Sequence, residues 1–229
     1  MRKTSLSIAV LLTIVTCFLT FGATGSAAPT IDATVGVSAA VGMTEAYVAS
    51  LMGTMQMMAT TSEVTSGDWD TMKGLLTKFQ NTSIPLVAWF ALPDGSYYTV
   101  NAGLTSANLS DRAYFPKVMN GQITVGDLVV SKSTGQKSMV ITVPVEKNGK
   151  VIGALGISVF LDQLSGIVAG ALDLPSGTVL YAINGAGQVA LHTNTDLILE
   201  DTSKITPPAE SVSKASSLLG WTFTLGLSE

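Results

Sequence analysis

Leu86-Val-Ala-Trp-Phe-Ala-Leu92, Pro93-Asp94-Gly95 and Ser96-Tyr-Tyr-Thr-Val100 decide the fold. Two runs rich in β-branched and aromatic residues flank a Pro-Asp-Gly turn, which is a hairpin signal. Downstream, Gln122 to Val130, Ser138 to Glu146 and Val151 to Phe160 repeat the strand pattern, and Lys147-Asn148-Gly149-Lys150 joins the last two in a second tight turn. The segment from Asn101 to Gly121 reads as non-strand, with a short helical piece capped by Ser110 or Asp111. Upstream, Ile31 to about Thr61 contains no proline, and Val37, Val41, Val48, Met52, Met55 and Ala59 recur at helical spacing. A second helix begins near Asp68, with Ser66 or Asp68 as cap, and carries Trp69, Met72, Leu75, Leu76 and Phe79 on one side. Five antiparallel strands behind a long helix make an α+β domain with one sheet face covered.

Beyond this domain, Leu161 to Leu172 reads as helix, and strands are expected at Thr178 to Ile183, Gln188 to His192 and Trp221 to Leu227. A short helix is expected from about Pro207 to Leu218. Three short strands make a poor core by themselves. The expectation is a small second α/β lobe that leans on the first or on its long helix. The divisions are then 1–27, 28–66 for the long helix, 67–164 for the main sheet domain and 165–229 for the second module.

Arg2 and Lys3 precede an uncharged, largely apolar run from Thr4 to about Ala28 that ends in Gly25-Ser26-Ala27-Ala28. That order is a secretion signal, cleaved after Ala27 or retained as a membrane anchor. Either reading puts the bulk of the chain outside the cytoplasm, periplasmic or secreted. The single cysteine, Cys17, falls within the apolar run, so the exported part folds without disulfides. Removing Arg2 and Lys3 takes the formal net charge from −4 to −6, which argues against nucleic acid as a partner. One arginine, Arg112, then remains.

Catalytic constellations are sparse. There is no glycine-rich phosphate loop and no nucleophile-elbow serine. His192 is the only histidine and lacks a neighbouring carboxylate cluster, so no catalytic residue, metal or cofactor is assigned. Met43, Met52, Met55, Met57 and Met58 read as filling for an irregular core or dimer seam. Asp94, Asp127 and Asp173 stand where turns and helix boundaries account for them. The segment Asn108-Leu-Ser-Asp-Arg-Ala-Tyr-Phe-Pro116 is different, because it sets one guanidinium two and three residues from two aromatic rings. A guanidinium presents five donors in a fixed fork that fits a carboxylate or phosphate. It equally fits a clamp on loop carbonyls or an ion pair with Asp111, and the residues alone leave both open.

Six pieces in order resemble the Cache family of extracytoplasmic sensor domains: Trp89-Phe-Ala-Leu-Pro-Asp-Gly95, Leu109-Ser-Asp-Arg-Ala-Tyr-Phe115, Gly121, Val130-Ser-Lys-Ser-Thr-Gly135, Val143-Pro-Val145 and Gly149-Lys-Val-Ile-Gly-Ala-Leu-Gly156. Gly177 to His192 and Gly220-Trp-Thr-Phe-Thr-Leu225 resemble parts of the membrane-proximal module of double Cache domains, here abbreviated. The resemblance implies a long N-terminal helix against a PAS-like antiparallel sheet, with a pocket between the sheet and the Arg112 loop. It implies that Arg112 takes a ligand carboxylate, that Tyr114 and Phe115 line the pocket, and that Trp89 and Tyr97 or Tyr98 face it. Amino-acid-binding members carry an aromatic and an aspartate before the Thr-Gly pair and another aspartate after the second glycine. Val129, Ser131 and Ser158 stand there instead, so Ser131 and Ser158 become the candidate polar contacts. The implied ligand is therefore a small plain carboxylate. The implied partners are a membrane-bound signalling protein and a second copy through the long helix. The alternatives are a structural or interaction protein with an empty pocket and, further off, a secreted enzyme.

Overall fold

The computed structural model describes residues 32–227, so the expected export signal and Cys17 lie outside the described residues. Asp32 starts the first helix, its Oδ1 accepting from the amides of Thr34 (2.8 Å) and Val35 (3.0 Å). In α1 (Ala33–Met58), Val37, Val41, Thr44, Val48, Leu51, Met55 and Met58 follow one another at alternating four- and three-residue steps and bury one stripe. A short α2 (Ser62–Thr65) follows, and Asp68 caps α3 (Trp69–Thr82) through the Thr71 amide and hydroxyl.

The main sheet comprises β1 (Leu86–Ala91), β2 (Ser96–Thr99), β3 (Gly103–Asn108), β4 (Thr124–Val130), β5 (Lys137–Lys147) and β6 (Lys150–Phe160). Its order is β3-β2-β1-β6-β5-β4, antiparallel throughout. The Asn148-Gly149 turn between β5 and β6 has both residues at positive φ, as a tight two-residue hairpin requires. Strand alternation sorts side chains between two faces. Phe90, Ile141, Leu155 and Ile157 meet α1 and α3 in the principal core. Trp89, Ala91, Val140 and Ala154 face the opposite way, into a smaller core with Leu109, Tyr114, Phe115 and Val118.

After α5 (Leu161–Ala171), β7 (Thr178–Ile183), β8 (Val189–His192), β9 (Ser211–Ala215) and β10 (Thr222–Leu227) form a second antiparallel sheet in the order β8-β7-β10-β9. Leu180, Trp221, Phe223 and Leu225 join the principal core, and α1 touches β5 as well as β9 and β10. Glu45 fastens this arrangement: its Oε1 accepts from the Ser216 hydroxyl (2.8 Å) and the Leu218 amide (3.0 Å). The result is the expected long helix followed by PAS-like antiparallel sheets. Two elements differ from expectation. Gly103–Asn108 is an edge strand where a non-strand segment was expected, and Ser211–Ala215 is an edge strand where a helix was expected.

Candidate ligand-binding site

The Pro93-Asp94-Gly95 turn does more than reverse the chain. Gly95 adopts φ +84°, its carbonyl accepts from the Leu109 amide (2.8 Å), and the Asn108 side chain donates to the Asp94 carbonyl (3.0 Å). The turn thus anchors the entry of the Leu109–Phe115 segment. Successive bonds from the Arg112 amide to the Leu109 carbonyl and from the Phe115 amide to the Arg112 carbonyl, both 2.9 Å, fold that segment over the sheet. It leads into α4 (Phe115–Met119), which has no side-chain cap. Ser110 and Asp111 therefore precede the helix and do not cap it.

Under this segment lies a narrow cavity with a free volume of about 10 Å³, room for about one water and far below the roughly 300–1,000 Å³ usual for small-molecule sites, so a ligand enters only if the segment above it gives way. Trp89, Tyr97, Arg112, Tyr114, Ser131 and Ser158 all line it. Trp89 forms a wall, donating from Nε1 to Ser158 Oγ (3.2 Å). Its indole lies across Gly156, where an added Cβ would fall 2.1 Å from the ring. Tyr97 meets Trp89 edge-on, with ring centroids 6.2 Å apart. The Tyr114 ring also lies 6.2 Å from Trp89. Burial pushes the Tyr114 hydroxyl well above its ordinary pKa, against the opposing pull of Arg112, and keeps it protonated.

Arg112 is half-buried, and its Nη2 donates to the Val130 carbonyl at the end of β4 (2.7 Å). Among the described residues, its buried Nε has no partner. The ion pair with Asp111 that the sequence left open does not form, because Asp111 pairs with Lys132, whose Nζ lies 2.6 and 2.7 Å from its two oxygens. That pairing holds the Asp111 carboxyl below its ordinary pKa. The remaining apolar wall comes from Leu109, Val129 and Val140, and no Asp or Glu is among the lining residues.

Two candidates lie elsewhere. Tyr98 follows Tyr97 in an extended strand and therefore projects to the other face, where it stacks on Trp69 at 5.2 Å. Phe115 opens α4 and is buried in the small core beside Val118, outside the cavity lining. Lys132 and Ser133 line the cavity without having been anticipated, since polar residues in a Ser-Lys-Ser-Thr loop read as solvated.

No protein-family model and no curated protein matches the chain. Solved structures do match. The ligand-binding domain of the Pseudomonas aeruginosa amino-acid chemoreceptor PctC, in complex with GABA, gives a TM-score of 0.63 at 17% identity, covering 85% of this chain and 94% of that one. The sensor domain of the V. cholerae histidine kinase DctB gives 0.68 at 11% identity, with 85% and 95% covered. The ligand-binding domain of the Pseudomonas fluorescens chemoreceptor CtaA, in complex with L-serine, gives 0.68 at 12% identity, again with 85% and 95% covered. The chain has the fold of the Cache-type sensor domains.

Proposed function

We propose that the protein is an extracytoplasmic binding module for a small carboxylate and that it passes occupancy to a separate membrane-bound signalling partner. The observation that carries this reading is Arg112, which lines a small aromatic-walled cavity with a buried Nε that no acceptor among the described residues satisfies. A buried donor without a partner is costly, and a ligand oxygen relieves it. The similar solved structures support a sensing role, two of them as complexes with GABA and L-serine. An ammonium group would be poorly matched here, because the lining offers no carboxylate and Ser158 already accepts from Trp89. The ligand is therefore a short organic acid and not an amino acid. The site contributes binding groups and no catalytic pair, so the role is recognition and not turnover.

The test is a thermal-shift and calorimetric titration of the exported protein with short carboxylates, amino acids and amines. A ligand that binds only the folded state raises the unfolding midpoint by mass action, with about 2.7 kcal/mol at a hundredfold excess over Kd. A carboxylate is expected to raise it in the parent and to lose the effect in Arg112→Ala. A response only to amino acids or amines would overturn the ligand class. No response to anything would favour a structural or interaction role. A homodimer through α1 is part of the same proposal, supported by that helix's uncovered face of small residues.

A further inference from the structure

We propose that a groove beside the C-terminal end of α1 is a second ligand-binding site and that it takes a primary alkylamine in its ammonium form. The inference is independent of the carboxylate reading and goes beyond it. The Arg112 cavity lies where β4 ends and β5 begins, beside Val129 and Val140. This groove lies towards the opposite end of the same strand pair, beside Ile123 and Val143, and the two share no lining residue. Its free volume is about 500 Å³, within the roughly 300–1,000 Å³ usual for small-molecule sites.

The lining sets the chemistry of the ligand. Ala59, Ile123, Val143 and Pro144 supply an apolar surface, and Ile123 is exposed to solvent there. Glu146 is the only charged lining residue, and among the described residues its carboxylate makes no hydrogen bond or ion pair. Lys147 comes next in β5 and therefore projects to the other face. Thr60 and Thr65 add two hydroxyls whose hydrogens are already committed, Thr60 donating to the Met57 carbonyl (2.7 Å) and Thr65 to the Thr61 carbonyl (2.8 Å). A hydroxyl has one hydrogen to give, so both oxygens retain only acceptor capacity, as does the carboxylate. The Gln56 amide completes the polar lining and serves in either role. An ammonium group, with three donors and no acceptor, complements this set, and its alkyl chain covers the apolar surface. A carboxylate would meet acceptors and a like charge. A quaternary ammonium would bring charge without donors, and no aromatic ring lines the groove to receive it.

The test is a calorimetric titration of the exported protein with butylamine, hexylamine, hexanol and hexyltrimethylammonium, on the parent, Glu146→Gln, Ile123→Ser and Arg112→Ala. Hexylamine is expected to bind about tenfold more tightly than hexanol or the quaternary ion, and about fivefold more tightly than butylamine through two further methylenes. Glu146→Gln, at an exposed and unbonded position, is expected to weaken hexylamine about tenfold and to leave hexanol unchanged. Ile123→Ser is expected to weaken both, and Arg112→Ala neither. Hexanol or the quaternary ion matching hexylamine in the parent, hexylamine unmoved by Glu146→Gln, or no hexylamine binding at all overturns the proposal. Hexylamine lost in Arg112→Ala and kept in Glu146→Gln would seat the amine in the first cavity and overturn both this proposal and the carboxylate class. A protein that binds hexylamine through Glu146 and ignores every carboxylate would overturn that class alone and leave this site standing.

Discussion

Trp89 keeps its place because Gly156 across the strand pair has no side chain. The two are directly paired, and any Cβ at 156 enters the indole ring. Gly156→Ala is expected to drive Trp89 off the cavity wall, break its bond to Ser158 and cost about 1–3 kcal/mol, the usual range for overpacking. Denaturant unfolding of the variant measures this, and an unchanged midpoint would show that the indole repacks freely. The sequence displays Gly156 within a recognisable stretch but does not display its reason, because the partner lies on a strand far away in the chain. Arg112 was legible as a lone guanidinium beside aromatics. Its surroundings were not, since its bond to the Val130 carbonyl and the pairing of Asp111 with Lys132 depend on how two loops approach each other.

Helix α1 shows how far an element can be read from spacing alone. Its buried stripe follows the apolar period, and the hairpin turns, the Asp68 cap and the centre of the main sheet were legible for the same kind of reason. The edge strands β3 and β9 were not. Gly103–Asn108 and Ser211–Ala215 consist largely of small and polar residues, each has one neighbouring strand, and neither alternates apolar with polar strongly enough to announce itself. The outer face of α1 carries Val35, Ala39, Gly42, Ala46, Ala49 and Gly53, again at four- and three-residue steps. A Cβ added at Gly42 or Gly53 would meet nothing within 4 Å, so the face is open to close approach by another helix. If two copies pair there, Ala49→Glu is expected to convert a dimer into a folded monomer in sedimentation experiments. A parent that stays monomeric at high concentration would remove the α1 pairing.

At the scale of the whole molecule, both sheets share one core, so a charge forced into the second sheet is felt by global stability. His192 is buried, its ring stacks on Tyr181 at 5.8 Å, and its Nδ1 accepts from the Asn194 amide (2.8 Å). Burial lowers its pKa below the ordinary 6.5. Below 6.5 the unfolded chain takes up a proton that the folded protein resists. The contribution of His192 is therefore complete above that pH and declines as pH falls towards the lowered value. Unfolding midpoints are expected to drop between neutral pH and about 5, with a shallower drop in His192→Gln. Equal slopes in the two proteins would refute the assignment. Unfolding would also report through the three tryptophans, Trp69, Trp89 and Trp221, all buried and all in different surroundings. Of these, Trp89 alone lines the cavity, with its indole N–H already committed to Ser158. A protein carrying Trp69→Phe and Trp221→Phe would therefore draw its tryptophan emission from the cavity wall alone, and the molecule would supply its own optical probe for the proposed ligand.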